Sequence, residues 1–120
     1  MKKLVEKLIK EEYQGWSNRM TWGVALIIDN NQGMYRAVKD EVGEIFARDK
    51  GDYDTAELTL QLEEFIKNYV DELVTPTLDR NENEMVPQLL NTALGEVDFL
   101  EIAKAHIEEE QTERGNTDIE

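Results

Sequence analysis

The stretch YQGWSNRMTWGVALIIDNNQGMYR, residues 13–36, decides how the rest of the chain is read. It holds both tryptophans, two of the four tyrosines, three asparagines and two arginines, within a run that otherwise looks like core. Its centre, TWGVALII at residues 21–28, is rich in strand formers. Ala25 and Leu26 are good helix formers, however, and apolar and polar residues do not alternate. A helix over about residues 18–30 is therefore expected, capped by Asn18 or Ser17. Such a helix is apolar on nearly every side, as the central element of a bundle would be.

Helical periodicity continues on both sides. Leu4, Val5, Leu8, Ile9 and Tyr13 form one face of a first helix that Gly15 interrupts. Asn30, Asn31, Gln32 and Gly33 make a stop, after which Tyr35, Val38, Val42, Ile45 and Phe46 set out a third helix. Beyond the loop ARDKGDYD, Asp54 or Thr55 can cap a fourth helix carrying Leu58, Leu62, Phe65, Ile66, Tyr69, Val70 and Leu73, which should end before Pro76. Val86, Leu89, Leu90, Ala93 and Leu94 share a face of a fifth helix closed by Gly95. Asp98 caps a last helix with Leu100, Ala103 and Ile107 turned inward. The expected fold is all-α: one compact bundle of about five to six helices at residues 1–111, followed by a polar tail at 112–120. That tail has too few apolar residues to pack unaided and should fray unless a partner subunit orders it.

A length of 120 residues suits one core. With no cysteine there is no disulfide framework and no thiolate zinc site. The N-terminal MKKLVEKLIKEEY intersperses Lys and Glu among its apolar residues, unlike a signal peptide. The apolar run Val24 to Ile28 is far short of the roughly 20 residues that span a bilayer. A cytoplasmic protein is expected. The net charge of −14 is unevenly spread: residues 1–39 carry seven Lys or Arg against four acids, whereas residues 40–120 carry six against twenty-three. A field of that sign disfavours direct binding to nucleic acid or to anionic membranes.

Catalytic signatures are missing. The lone His106 suits a surface or capping role better than a general base. No nucleophile motif, Gly-rich phosphate loop or His pair is present. Asp49, Asp52 and Asp54 around Gly51 resemble part of a calcium loop but lack its remaining ligands. Glu63 with Glu64, and the run Glu108 to Glu110, suit solvated helix faces. A non-enzymatic protein with no cofactor and no metal is expected.

What stands out is the aromatic and amide cluster. Trp16, Trp22 and Tyr35 could stack on flat rings, Arg19 and Arg36 could pair with phosphate, and Asn18, Thr21, Asn30 and Asn31 could fix base or ribose groups. That is a nucleotide-binding set. Each member also has an ordinary structural use: tryptophans as core anchors, asparagines as helix caps, arginines balancing neighbouring acids.

The segment WSNRMTWGVALIIDNNQGMYR resembles the hallmark of a family of small, uncharacterised proteins encoded by phages and plasmids, in which a stretch like ETWNVALWIxNDEGLY recurs. The matching positions are Asn18, Thr21, Trp22, Ala25, Leu26, Ile28, Asn30, Gly33 and Tyr35. A fainter echo covers Leu90, Ala93, Leu94, Val97, Asp98, Phe99, Ile102 and Ala103. Gly23 stands where the family usually has a polar residue, and Ile27 where it usually has a second Trp. The resemblance implies a habitat, the cytoplasm of an infected host cell, and by association a counter-defence role.

Two mechanisms fit that role. The first is a sponge, a homo-oligomer that sequesters a nucleotide immune second messenger without cleaving it, in a pocket shared between subunits. The alternative is an acidic inhibitor, an anti-CRISPR or anti-restriction factor that mimics nucleic acid and lays its acidic half on a basic host defence protein. Asp40, Glu44, Glu57, Glu64 and Asp71 are the acids expected to imitate phosphates. A structural protein of the virus particle has no positive signature, and an enzyme with a recruited metal is the least favoured reading.

Overall fold

The computed structural model describes residues 13–49, 54–80 and 84–118, which form five helices and, among the described residues, no strand. They are α1 (Arg19–Asn30), α2 (Gln32–Asp49), α3 (Thr55–Arg80), α4 (Met85–Gly95) and α5 (Phe99–Asp118). The all-α expectation holds. The segment at residues 21–28 is helix throughout. The helix marked by Leu4, Val5, Leu8 and Ile9 lies outside the described residues.

Four helices make the core. α5 packs along α3 and also touches α1 and α2, while α2 bridges α1 and α3. The buried side chains are Ala25 and Ile28 from α1, Val38, Val42, Ile45 and Phe46 from α2, Leu58, Leu62 and Ile66 from α3, and Ile102, Ala103 and Ile107 from α5. Val97, just before α5, joins them. Each large aliphatic chain so buried contributes roughly 1.5–3 kcal/mol. The spacings of three and four residues on α2, α3 and α5 are those that keep one helix face inward.

The helix starts follow their caps. Asn18 has an extended backbone (φ −154°, ψ 169°), and its Oδ1 accepts the Thr21 amide at 2.8 Å. Asp54 Oδ1 accepts the Ala56 amide at 3.1 Å, and Asp98 Oδ1 accepts the Glu101 amide at 3.0 Å. A single residue, Asn31, separates α1 from α2, and its Oδ1 accepts the Met34 amide at 3.0 Å.

Four features differ from the sequence reading. α3 does not stop before Pro76 but runs through it to Arg80. Proline removes the amide that would bond to the Glu72 carbonyl four residues back, yet the helix continues past this single missing bond; the preceding Thr75 hydroxyl donates to the Asp71 carbonyl at 2.8 Å. Next, none of the residues of α4 is fully buried among the described residues: Val86 and Leu89 are exposed, and Leu90, Ala93 and Leu94 are half-buried. Leu100 is 41% exposed, because Ile102, Ala103 and Ile107 take the inward positions and Leu100 sits at the edge of their stripe. Finally, α5 continues to Asp118. Gln111 donates to the Thr55 hydroxyl at 2.7 Å, Lys39 pairs with Glu113 at 3.2 Å, and the Arg114 guanidinium lies 4.7 Å from the centre of the Phe46 ring. These contacts order residues whose composition alone suggests fraying. Partial burial works against the charge on Lys39, but its hydrogen bond to Glu113 and the nearby Tyr35 and Glu109 outweigh it, and its pKa is raised.

One set of bonds ties the two ends of this arrangement. The Asp98 amide donates to the buried Thr21 hydroxyl at 2.8 Å, Asn18 Nδ2 donates to the Glu96 carbonyl at 2.9 Å, and the Ser17 amide donates to Glu101 Oε1 at 2.9 Å. The start of α1 is thereby locked to the turn before α5. Replacing Thr21 by Val should cost roughly 1–3 kcal/mol, because the hydroxyl's partner amide loses its acceptor. Asn18→Ala should cost roughly 0.5–2 kcal/mol through the lost cap. Urea unfolding followed by circular dichroism measures both, and losses below a few tenths of a kcal/mol would show that the lock contributes little.

His106 gives a second expected outcome. Its side chain is about 10% exposed, with Nε2 3.8 Å from Asp29 Oδ1. Burial lowers its pKa below the ordinary 6.5; Asp29 and Glu109 oppose that shift and Lys39 adds to it. A lowered folded-state value means that its contribution is full above the unfolded value and is lost as pH falls below it. Between about pH 7 and pH 5 the protein should therefore lose stability more steeply than a His106→Gln variant. Equal slopes for the two proteins would remove His106 from the account.

Candidate functional site

The nine residues expected to bind a ligand divide in the structure. Asn18 and Thr21 are committed: the cap of α1 and two of the three cross-links described above use their polar atoms. Asn31 spends its Oδ1 on the start of α2, its amide on the Ile27 carbonyl and its carbonyl on the Tyr35 amide. None of the three presents its full set of polar atoms to a ligand.

The others lie on separate surfaces. Arg19, Trp22 and Asn30 fall on the outward side of α1, where spacings of three, four and seven residues align them with Gly23 and Leu26. Ile27 borders this strip, 57% exposed, and Leu26 is 40% exposed. Trp22 is half-buried, and its Nε1 is a buried donor with no partner among the described residues. Arg36 projects from α2 into solvent, and Tyr35 beside it is half-buried. Trp16 sits apart, packed against the core through the turn in which its amide bonds to the Tyr13 carbonyl. The site set is thus a structural lock, an outward face on α1, and two outlying aromatics.

Trp16 does line a groove. With Gln14, Gly15, Glu101, Lys104, Ala105 and Glu108 it borders an open space of about 360 Å³ on the outer side of α5. A neighbouring groove of about 390 Å³, lined by Thr55, Ala56, Thr59, Leu60, Leu100 and Lys104, is almost wholly apolar. The threonines there are turned to the backbone or to Gln111: Thr59 donates to the Thr55 carbonyl at 2.7 Å. Sequence reading passes over Glu101, Lys104 and Ala105 and assigns Glu108 to a solvated face. Glu101, Lys104, Ala105 and Glu108 recur at three- and four-residue spacing, and that periodicity was the available signal.

The carboxylates are arranged differently. Asp40 and Glu44 on α2, and Glu57, Glu64 and Asp71 on α3, are all exposed. The last three repeat every seven residues, which places them on one side of α3 at intervals of about 10.5 Å. Among the described residues the ion pairs involve Glu41, Glu63, Glu110, Glu113 and Asp29, and none of these five acids. Among the described residues no cluster of three or more His, Asp or Glu is placed to hold a metal ion. Asp54 is used as a cap and Asp52 lies outside the described residues. No helix among the described residues is long and apolar enough to cross a membrane.

Comparison with curated proteins and with solved structures finds no match. A family described as "Family of unknown function (DUF7249)" matches residues 9–117, a span that includes both the α1 lock and the acidic faces, and the chain belongs to that family.

Proposed function

We propose that the chain is a non-enzymatic counter-defence protein of phage or plasmid origin, acting in the cytoplasm of an infected host, and that it occupies the basic nucleic-acid-binding surface of a defence effector. The observation that carries this reading is the exposed acid row of α3, Glu57, Glu64 and Asp71, which makes no ion pair among the described residues, with Asp40 and Glu44 exposed on α2. A regular row of exposed carboxylates presents a negative potential, which accelerates encounter with a basic partner and excludes nucleic acid from the same surface.

Sequestration of a nucleotide messenger is the second reading, and one observation favours it. Arg19, Trp22 and Asn30 share one side of α1, which brings a guanidinium, an indole and an amide together. With Asn18, Thr21 and Asn31 committed to the fold, a nucleotide would require a second subunit to complete its pocket.

Inhibition of DNA cleavage by purified restriction and CRISPR effectors tests the first reading. Raising salt from about 0.05 to about 0.3 M should weaken inhibition. The variant Glu57→Gln, Glu64→Gln, Asp71→Asn should slow association about tenfold or more while keeping its helix content. Inhibition that ignores both changes rejects the acidic mechanism. Native mass spectrometry after incubation with cyclic nucleotides and ADP-ribose derivatives separates the second reading: an intact nucleotide recovered from an oligomer, and lost in Arg19→Ala, would establish the sponge instead.

A further inference from the structure

The acid row of α3 has an apolar neighbour. Leu60 lies three residues after Glu57 and four before Glu64, so the three share one side of the helix, and Leu60 is 56% exposed. Neither acid makes an ion pair among the described residues. Leu60 is also a wall of the groove of about 390 Å³, together with Ala56 and Thr59 of α3 and Leu100 and Lys104 of α5. The hydroxyls there are occupied: Thr59 donates to the Thr55 carbonyl, and the Thr55 hydroxyl accepts from Gln111. Two exposed leucines from different helices therefore meet at one apolar cleft.

The opposite edge repeats the charge pattern. On α5, Lys104 lies three residues after Glu101 and four before Glu108, at the spacing of neighbours on one helix side. Beside the groove, Glu57, Glu64, Glu101 and Glu108 thus stand against the single ammonium of Lys104. Lys67, the next cation along α3, is held by Glu63 at 3.8 Å. An apolar floor with acids along both edges favours an apolar group that arrives with positive charge around it. A neutral apolar segment would use the floor and leave the edges unmatched. A second copy of this chain, of net charge −14, would meet like charge on both edges.

We infer that this groove is where a basic partner is anchored: a segment of the effector's nucleic-acid-binding surface seats an apolar side chain between Leu60 and Leu100, and Lys or Arg on either side of it meets Glu57, Glu64, Glu101 and Glu108. The inference rests on the acidic-inhibitor reading above and adds the chemistry of the partner to it. Charge speeds encounter, and burial in the groove slows release. A partner so built is separated from a plain polycation, which would meet the acids and leave the groove empty.

Two synthetic helical peptides of equal length and charge test this on the full chain. One carries Leu at every third or fourth position among Lys residues, and in the other each Leu is replaced by Gln. In titration calorimetry the Leu peptide should bind at least about tenfold more tightly. That ratio should persist between about 0.05 and 0.3 M salt, because it does not come from charge. Leu60→Gln and Leu100→Gln should each shrink the ratio about threefold or more and keep their helix content, since both side chains are exposed. Leu73→Gln, exposed on α3 outside the groove, should leave it unchanged. Equal affinity for the two peptides, with both weakened by Glu57→Gln, Glu64→Gln, Asp71→Asn, overturns the groove and leaves the acidic reading standing. Peptides that bind this triple variant as tightly as the native chain overturn both. A preference untouched by Leu60→Gln and Leu100→Gln also overturns the inference, as does a chain that sediments as a dimer which those two variants dissociate.

Discussion

The hydrogen bond from the Asp98 amide to the Thr21 hydroxyl, 2.8 Å long across 77 residues of sequence, is the constraint on which the arrangement rests. Thr21 is fully buried on α1, next to Ala25 and Ile28 on the same face, and its hydroxyl needs a partner there. Asp98 supplies that partner while its own carboxylate starts α5. One residue thereby fixes both where α5 begins and where α1 sits against it. Asn18 repeats the device in the opposite direction, capping α1 with its oxygen and holding the Glu96 carbonyl with its nitrogen. The side-by-side start of α1 and α5 then sets which faces of each turn inward, and Ile28, Ile102, Ala103 and Ile107 follow.

This lock also accounts for two separated stretches of sequence. The segment around Asn18 and Thr21 and the segment around Val97 and Asp98 are far apart in the chain and meet through these bonds. Side chains that read as ligand-binding amides and hydroxyls in a list of residues are, in three dimensions, the means by which two helix starts are held together. A polar residue inside an apolar run carries that ambiguity by nature: either it reaches for a ligand or it satisfies a backbone group that the fold would otherwise bury unpaired. Thr21 does the second.

The fold was legible where local chemistry governs. Asn18, Asp54 and Asp98 cap as their types and positions suggest, and the stripes of α2 and the first half of α3 point inward as their spacing requires. It was not legible where burial depends on the length of a neighbour. Leu73 continues the same stripe as Leu62 and Ile66, and α4 has an apolar face as clear as any, but sequence spacing cannot say that Leu73 lies beyond the buried part of its helix or that no residue of α4 is fully buried. Pro76 misled for a related reason: a single missing backbone bond near the exposed end of a 26-residue helix is tolerated, whereas the same residue amid a short helix would end it. Of the site, the exposed acids were readable because solvated helix faces follow from periodicity, while the outward face of α1 was hidden by a composition that looks apolar on every side.

These features divide the surface by charge in a way that composition does not reveal. Asp40 and Glu44 of α2 and Glu57, Glu64 and Asp71 of α3 are exposed and make no ion pair among the described residues, the contacts of the helical tail draw Lys39 and Arg114 onto Glu113 and Glu110, and α4 carries no charge at all. A uniformly acidic sphere would repel its own kind and attract any cation without preference. Segregating the charge sets the exposed acids of α2 and α3 apart from an uncharged helix on the same molecule.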